Sequence, residues 1–273
     1  DGVSDTKDLI NRCKAWGWPA MAITDHGCAQ AFPLALHVVD GKEADYPKIL
    51  YGVEAYYVND AAAVSVVRGD LDGSLDGDFI VFDLETTGLK PATEEITEIA
   101  AVLVREGEIK DSFQTYVNPH KPIPPEITEL TGISDETVAD APDLPEALDK
   151  FFAFMGDRVL VAHNAGFDLS FLKAACKKLD IEREFTYIDT LEMSRIMLPH
   201  LSRFKLNILA KELQVGPFEH HRASEDAAVL GRIWVKLLDK LKHEQHASKI
   251  SDINPLLAGL RAKEGGLKNL PRH

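Results

Sequence analysis

The run Phe79-Ile80-Val81-Phe82-Asp83-Leu84-Glu85 constrains this chain more than any other, because an unbroken apolar stretch ends in two acids that keep a strand's alternation. Four consecutive apolar residues predict a strand buried on both faces, central in a sheet. Asp83 and Glu85 are one residue apart, so both side chains face the same side, about 7 Å apart along an extended chain. They stand at the strand's end, where the ligand sites of open α/β sheets lie. Such a pair can bracket a metal ion. Taken alone it also fits a solvated strand end followed by the turn Thr86-Thr87-Gly88.

Around this strand the pattern predicts an α/β unit over 78–242. Residues 99–104 and 112–117 are predicted strands with Gly107 at the turn between them, and helices follow over 144–155, 168–178, 189–197, 206–213 and up to about 241. Further strands are expected at 159–162 and 185–188. A meander that leads into alternating helices and strands implies a mixed sheet flanked by helices. Ahead of it, 63–77 contains Arg68-Gly69-Asp70-Leu71-Asp72-Gly73-Ser74-Leu75-Asp76-Gly77, the composition of a linker. Residues 1–62 alternate helix and strand with only two strands, too little to bury a core alone, which predicts a fragment of a larger domain. Residues 243–273 turn polar and are expected to form a tail.

Two more acidic islands follow. In His163-Asn164-Ala165-Gly166-Phe167-Asp168 the acid precedes the helical stripe Leu169, Leu172, Ala175, Cys176 and Leu179. Asp at a helix start is a good cap in any protein, so Asp168 is equally cap or ligand, while Phe167 faces a base or fills the core. In His221-Arg222-Ala223-Ser224-Glu225-Asp226 the histidine and the last acid are five positions apart, about 140° on a regular helix. His221 must therefore lie before the helix whose stripe runs from Val229 to Leu241, with Asp226 in its first turn. The pair His220-His221 also suits a polar surface. Four carboxylates gathered in one pocket repel each other at neutral pH unless cations neutralise them. An imidazole beside such cations points to hydrolysis of a phosphodiester.

The balance of 30 basic and 44 acidic residues gives a net charge of −14, which argues against a polyanionic partner. Carboxylates that hold cations reverse that argument locally. No apolar run approaches the roughly 20 residues that cross a bilayer, and Asp1-Gly2-Val3-Ser4-Asp5 lacks the features of a signal peptide, so a cytoplasmic, membrane-free setting is expected. Cys13, Cys28 and Cys176 are scattered and predict neither a disulfide framework nor a zinc knuckle.

The order, placement and spacing of the three islands together resemble the DnaQ-like 3′-to-5′ exonucleases of the DEDD superfamily, in the subgroup with a histidine five residues before the last aspartate. The resemblance covers roughly 78–241, including Asn118-Pro119, Glu129-Leu130-Thr131-Gly132-Ile133 and Ile188-Asp189-Thr190-Leu191. Residues 1–58 look like a piece of a PHP domain through Ala22-Ile23-Thr24-Asp25-His26-Gly27 and Tyr51-Gly52-Val53-Glu54-Ala55. An exonuclease inserted into a PHP domain is the arrangement of PolC-type replicative polymerases of Gram-positive type, with 243–273 leading back towards that domain. His26 and Glu54 match PHP metal ligands, but the upstream His-x-His motif of that site is absent from this sequence.

The resemblance implies a ribonuclease H-like mixed sheet and a two-metal-ion 3′-5′ exonuclease that removes nucleoside 5′-monophosphates from a single-stranded or frayed 3′ end of DNA. Asp83, Glu85, Asp168 and Asp226 would hold two divalent cations, Mg2+ or Mn2+, and His221 would be the general base. Thr86, Thr87, Gly88, Leu89, Asn164 and Phe167 would touch the terminal nucleotide. The remainder of a polymerase chain and other replisome subunits would be partners. Rival expectations are an RNA-directed exonuclease of the same superfamily, a PHP-type phosphoesterase, and a non-catalytic replisome docking module.

Overall fold

The computed structural model describes residues 4–25, 29–53, 64–216 and 223–268 of the chain. His221, His26 and Glu54 lie outside them. The chain divides into two compact units, Asp1–Ala62 and Ala63–His273.

In the first unit, helix α1 (Thr6–Ala15), capped by the Asp5 carboxylate accepting from Lys7 N–H, leads into strand β1 (Ala20–Asp25). Helix α2 (Ala31–Val39) and a short 3-10 turn (Glu43–Asp45) bring the chain to β2 (Lys48–Val53), which pairs parallel with β1 from Ala20↔Lys48 to Asp25↔Val53. Its core is small, built on Ile10, Ile23, Ala35 and Val39, while Trp16 and Trp18 are 60% and 50% exposed. A sheet of two strands cannot cover such surface by itself.

The second unit is built on a six-stranded mixed sheet in the order β3-β8-β7-β4-β5-β6. Its strands are β3 (Val67–Arg68), β4 (Phe79–Thr86), β5 (Ile96–Arg105), β6 (Glu108–Tyr116), β7 (Val159–Ala162) and β8 (Tyr187–Asp189). The meander β4-β5-β6 is antiparallel, β7 and β8 run parallel to β4, and β3 closes the edge antiparallel to β8. Glu106 and Gly107 connect β5 to β6 with φ of 51° and 75°. Positive φ at both positions is the geometry of a two-residue turn that matches strand twist.

Helices α3 (Pro125–Thr131), α4 (Asp135–Val138), α5 (Leu144–Met155), α6 (Ala165–Lys178), α7 (Thr190–Met197), α8 (Leu206–Glu212), α9 (Ala223–His243) and α10 (Ile250–Lys268) surround the sheet. Strand alternation sorts β4 between two cores. Ile80, Phe82 and Leu84 pack with Phe151 of α5 and with Leu169 and Leu172 of α6. Phe79 and Val81 face the other way, towards α9, where the Phe79 and Trp234 rings meet edge to face at 5.1 Å.

Two stretches differ from the sequence expectation. Residues 63–77, whose composition predicts a linker, carry Val64, Val66 and Leu75 into the α9 core, and β3 extends the sheet. Residues 243–273, expected as a polar tail, contain α10, which buries Ile250, Ile253 and Leu257 in the same core. The two hold each other. Asn254 Oδ1 accepts from Val67 N–H and its amide donates to the Val67 carbonyl, both at 2.9 Å, so one side chain stands in for a neighbouring strand. Asp72 accepts from Ser251 N–H at 3.0 Å and from its hydroxyl at 2.9 Å. Glycine and aspartate serve here as turn and cap, which composition alone does not separate from a flexible connection.

Asp78 anchors the entrance to β4, accepting from Arg105 on β5 at 2.7 and 2.6 Å and from Arg158 Nε, just before β7, at 3.0 Å. The Arg105 hydrogen bonds, helped by Arg158, hold its carboxyl down to about 2. A depressed acid stabilises the fold above its unfolded pKa of about 3.9 and loses that contribution as pH falls through the folded value. Because Arg105 is nearly half exposed, the expected cost of Asp78→Asn is about 1 kcal/mol at pH 7. Thermal melts of the two proteins are expected to converge between pH 4 and pH 2; a gap unchanged at pH 2 would contradict this.

Candidate active site

The site grows from the C-terminal half of β4, where Asp83 and Glu85 continue the face that carries Phe79 and Val81 towards α9. α9 supplies Asp226 from its first turn. Carboxylate oxygens of Asp83, Glu85 and Asp226 all lie within 4.8 Å of one another, and each residue is half-buried. What lets α9 come this close is a stripe of small residues at four-residue spacing, Ala223, Ala227 and Gly231. The first two pack on Ala100 of β5. At Gly231 an added Cβ would stand 2.7 Å from Val102 Cγ2.

Asp168 reaches the site from the opposite face. The parallel pairing of β4 with β7 ends at Val81↔Val161, so the strands part beyond it. Asp168, 3% exposed, accepts from Leu84 N–H at 3.2 Å in that gap. The sequence left Asp168 open between helix cap and ligand. α6 begins earlier, at Ala165, and Asn164 with φ of 64° holds the cap position without a side-chain bond, so Asp168 stands in the first turn and not at the N-cap itself.

Electrostatically the cluster is strained. Burial raises Asp83 well above the usual carboxylate range, with Asp168, Glu85, Asp226 and Glu98 adding to it. Glu85 is pushed up to about 7 by burial, then by Glu98 and Asp226, and burial raises Asp168 as well. An all-oxygen, multiply acidic donor set is what a hard divalent cation takes, and binding one relieves this repulsion. The residues present fit such an ion, with Asp83, Glu85 and Asp226 as its nearest holders.

The other expected site residues are placed unevenly. Thr86 and Thr87 are buried, and their hydroxyls donate to Gly88 O at 2.7 Å and Glu94 Oε2 at 2.6 Å, so they build the turn after β4. Gly88 belongs to the same turn, and an added Cβ there would stand 3.0 Å from Glu94 Cγ. Leu89 is 79% exposed just beyond it. Asn164 is exposed, and Phe167 is half-buried against Phe171, ring centroids 5.1 Å apart. His163, in the same island, is fixed between Phe204 O at 2.7 Å and Thr190 Oγ1 at 3.0 Å. One residue escaped the motif spacing altogether. Glu98 is fully buried on β5, opposite Glu85 in register. Its signal is an acid inside the apolar run from Ile96 to Val104.

Comparison with known proteins gives this arrangement relatives. Over 272 residues the chain is 44% identical to the DNA polymerase III PolC-type of Caldanaerobacter subterraneus subsp. tengcongensis, covering 99% of the chain and 19% of that protein. The chain thus spans about a fifth of that relative's length. Among solved structures, Exonuclease X in complex with 5′ overhanging duplex DNA matches with a TM-score of 0.52 and 25% identity, over 66% of the chain and 99% of that structure. The nuclease domain of 3′hExo, a DEDDh family member bound to rAMP, matches with the same TM-score and identity over 60% of the chain and 92% of that domain. No helix among the described residues is long and apolar enough to cross a membrane. The family model described as Exonuclease (RNase_T) matches residues 80–234, a span that takes in β5 to β8, nearly all of β4 and more than half of α9, and on that ground the chain belongs to the exonuclease family.

Proposed function

We propose that the chain removes nucleoside 5′-monophosphates from a single-stranded or frayed 3′ end of DNA, as the editing part of a PolC-type replicative polymerase. The convergence of Asp83, Glu85 and Asp226 within 4.8 Å carries this reading, and the similarity to a PolC-type polymerase at 44% identity supports its setting. Two magnesium or manganese ions suit the oxygen shell, and when bound such ions stabilise the entering and leaving oxygens of an in-line displacement. Asp83, Glu85 and Asp226, with Asp168 beside them, would hold these ions.

His221 precedes α9, which begins at Ala223, and carries Asp226 on its C-terminal side. In this reading its imidazole takes the proton from the attacking water, a role suited to a group that titrates near neutrality. His221→Ala is expected to lower kcat by about 100-fold or more and to flatten the rise of rate between about pH 6 and pH 8. Rates across that range on a DNA oligonucleotide decide it, and an unchanged profile would remove His221 as the base. Leu89, exposed beyond the β4 turn, packs on the terminal base, and a frayed mismatch reaches the buried acids at lower cost than a paired end.

Residues 1–62 belong, in this account, to a PHP domain whose other parts lie elsewhere in a longer protein. The exposed Trp16 and Trp18 and the small core around a two-stranded sheet support a fragment. His26 and Glu54 are remnants of its metal site. The cytoplasm and contacts with further replisome subunits complete the setting. A second reading, trimming of RNA, is favoured by the likeness to a nuclease bound to rAMP; a faster rate on RNA than on DNA of the same sequence would select it.

A further inference from the structure

Glu98 is a buried acid beside the cluster that stands outside the converging trio and has no part in the chemistry proposed above. It is costly there, since its charge adds to the repulsion on both Asp83 and Glu85. Its hydrogen bonds suggest what that cost sustains. Oε1 accepts from the Gln114 amide of β6 at 2.5 Å, and Oε2 accepts from the Ala223 N–H at 3.3 Å. Ala223 is the first residue of α9, and Asp226 follows three residues later.

The first N–H groups of a helix have no partner within the helix, and a carboxylate placed there both satisfies a donor and favours the helix dipole. Glu98 differs from an ordinary cap in coming from the central sheet, 125 residues away in sequence. Ala100 packs against Ala223 and Ala227, which sets how closely the start of α9 lies on β5. Val229, Leu230, Ile233 and Trp234 seat the rest of the helix in the core, and the hydrogen bond from Ala223 N–H to Glu98 adds a directional restraint at its first residue.

We propose that Glu98 is a positioning residue whose carboxylate ties the start of α9 to β5 and thereby fixes Asp226 against Asp83 and Glu85. Gln114, exposed on β6, steadies the carboxylate from the other side. The consequence for turnover rests on the nuclease reading above, whereas the tether itself does not. Because the role is hydrogen bonding and not charge, an amide can fill it. In Glu98→Gln the new side-chain oxygen accepts from Ala223 N–H, while Gln114 turns its own amide to offer an oxygen to the new NH2 group. Methionine fills the volume and offers no comparable acceptor.

The test is amide hydrogen exchange at Ala223 in the metal-free 273-residue chain, paired with nuclease rate against magnesium concentration. Glu98→Met is expected to speed Ala223 exchange by about tenfold, to lower kcat by about tenfold or more and to raise the magnesium half-saturation point. Glu98→Gln is expected to stay within about threefold of the parent in all three. Unchanged exchange in Glu98→Met, or equal damage from Glu98→Gln, would overturn the tether, the second by showing that the charge itself is required. If Glu98→Met does not fold, Gln114→Ala decides, since loosening the carboxylate must speed Ala223 exchange by a few fold, and no change there sinks the proposal. Exchange is measured without metal or substrate, so a failure of the nuclease reading leaves this result separately legible.

Discussion

Asp83→Asn, and separately Asp226→Asn, is expected to lower 3′-terminal hydrolysis in magnesium by at least about 1000-fold while leaving the fold intact. The trio shares oxygens within 4.8 Å, so removing one charge leaves the other two unable to hold a cation in the same place. The same substitutions carry a second signature that activity does not report. Asp83 is raised well above its ordinary range by burial and by Asp168, so its ionised form destabilises the metal-free fold at neutral pH. Asp83→Asn is therefore expected to melt higher than the parent in chelator at pH 7 to 8. Added magnesium is expected to raise the melting temperature of the parent and not that of the variant. Retention of most activity, or an equal magnesium shift in both proteins, would contradict the assignment of these acids.

Gly231→Val is expected to damage both stability and turnover although Gly231 has no polar chemistry. Glycine inside a helix costs about 1 kcal/mol relative to alanine, so its place in the middle of α9 asks for a packing reason. The reason is contact: a Cβ would stand 2.7 Å from Val102 Cγ2 and 3.1 Å from Ile109 Cδ1. Valine adds two further methyl groups against buried β5, and overpacking of this kind costs roughly 1–3 kcal/mol. For a protein of this size that is a fall in melting temperature of about 3–10 °C. α9 relieves the clash by lifting from the sheet, and Asp226 rides on the same helix; a misplacement of about 1 Å costs on the order of 100-fold in rate. Thermal melts and rates on folded protein check both arms. Wild-type values in both would mean that the small-residue stripe does not set the seat of α9.

Much of this architecture was legible because a single period governed each element. Ile80, Phe82 and Leu84 alternate with Val81, Asp83 and Glu85, and the structure divides these two sets between opposite faces of β4. The helix expected over 144–155 forms as Leu144–Met155, where Ala147, Leu148, Phe151 and Met155 repeat at helical spacing. Legibility failed where tertiary contact overrode local propensity. α10 contains Pro255 within its span, yet it forms because Ile253 and Leu257 have a core to enter. Asp72 and Gly73 look like a flexible connection until their bonds to Ser251 and Ile250 are seen. Within the site, spacing marked Asp83, Glu85, Asp168 and Asp226 as acids at strand and helix ends but left each open to a structural role; the structure brings the carboxylates of Asp83, Glu85 and Asp226 within 4.8 Å of one another. Glu98 could not be marked in this way, because its partner is a backbone N–H on an element far along the chain, and no local pattern encodes that pairing.

A time course on one single-stranded DNA oligonucleotide, labelled in parallel at its 3′ or its 5′ end and incubated with magnesium or with chelator, tests the central claim most directly. The account predicts that the 3′ label leaves first as a mononucleotide, that the 5′-labelled strand shortens through a ladder from full length, and that chelator stops both. Early release of the 5′ label as a mononucleotide, internal cleavage, or trimming that persists in chelator would contradict it.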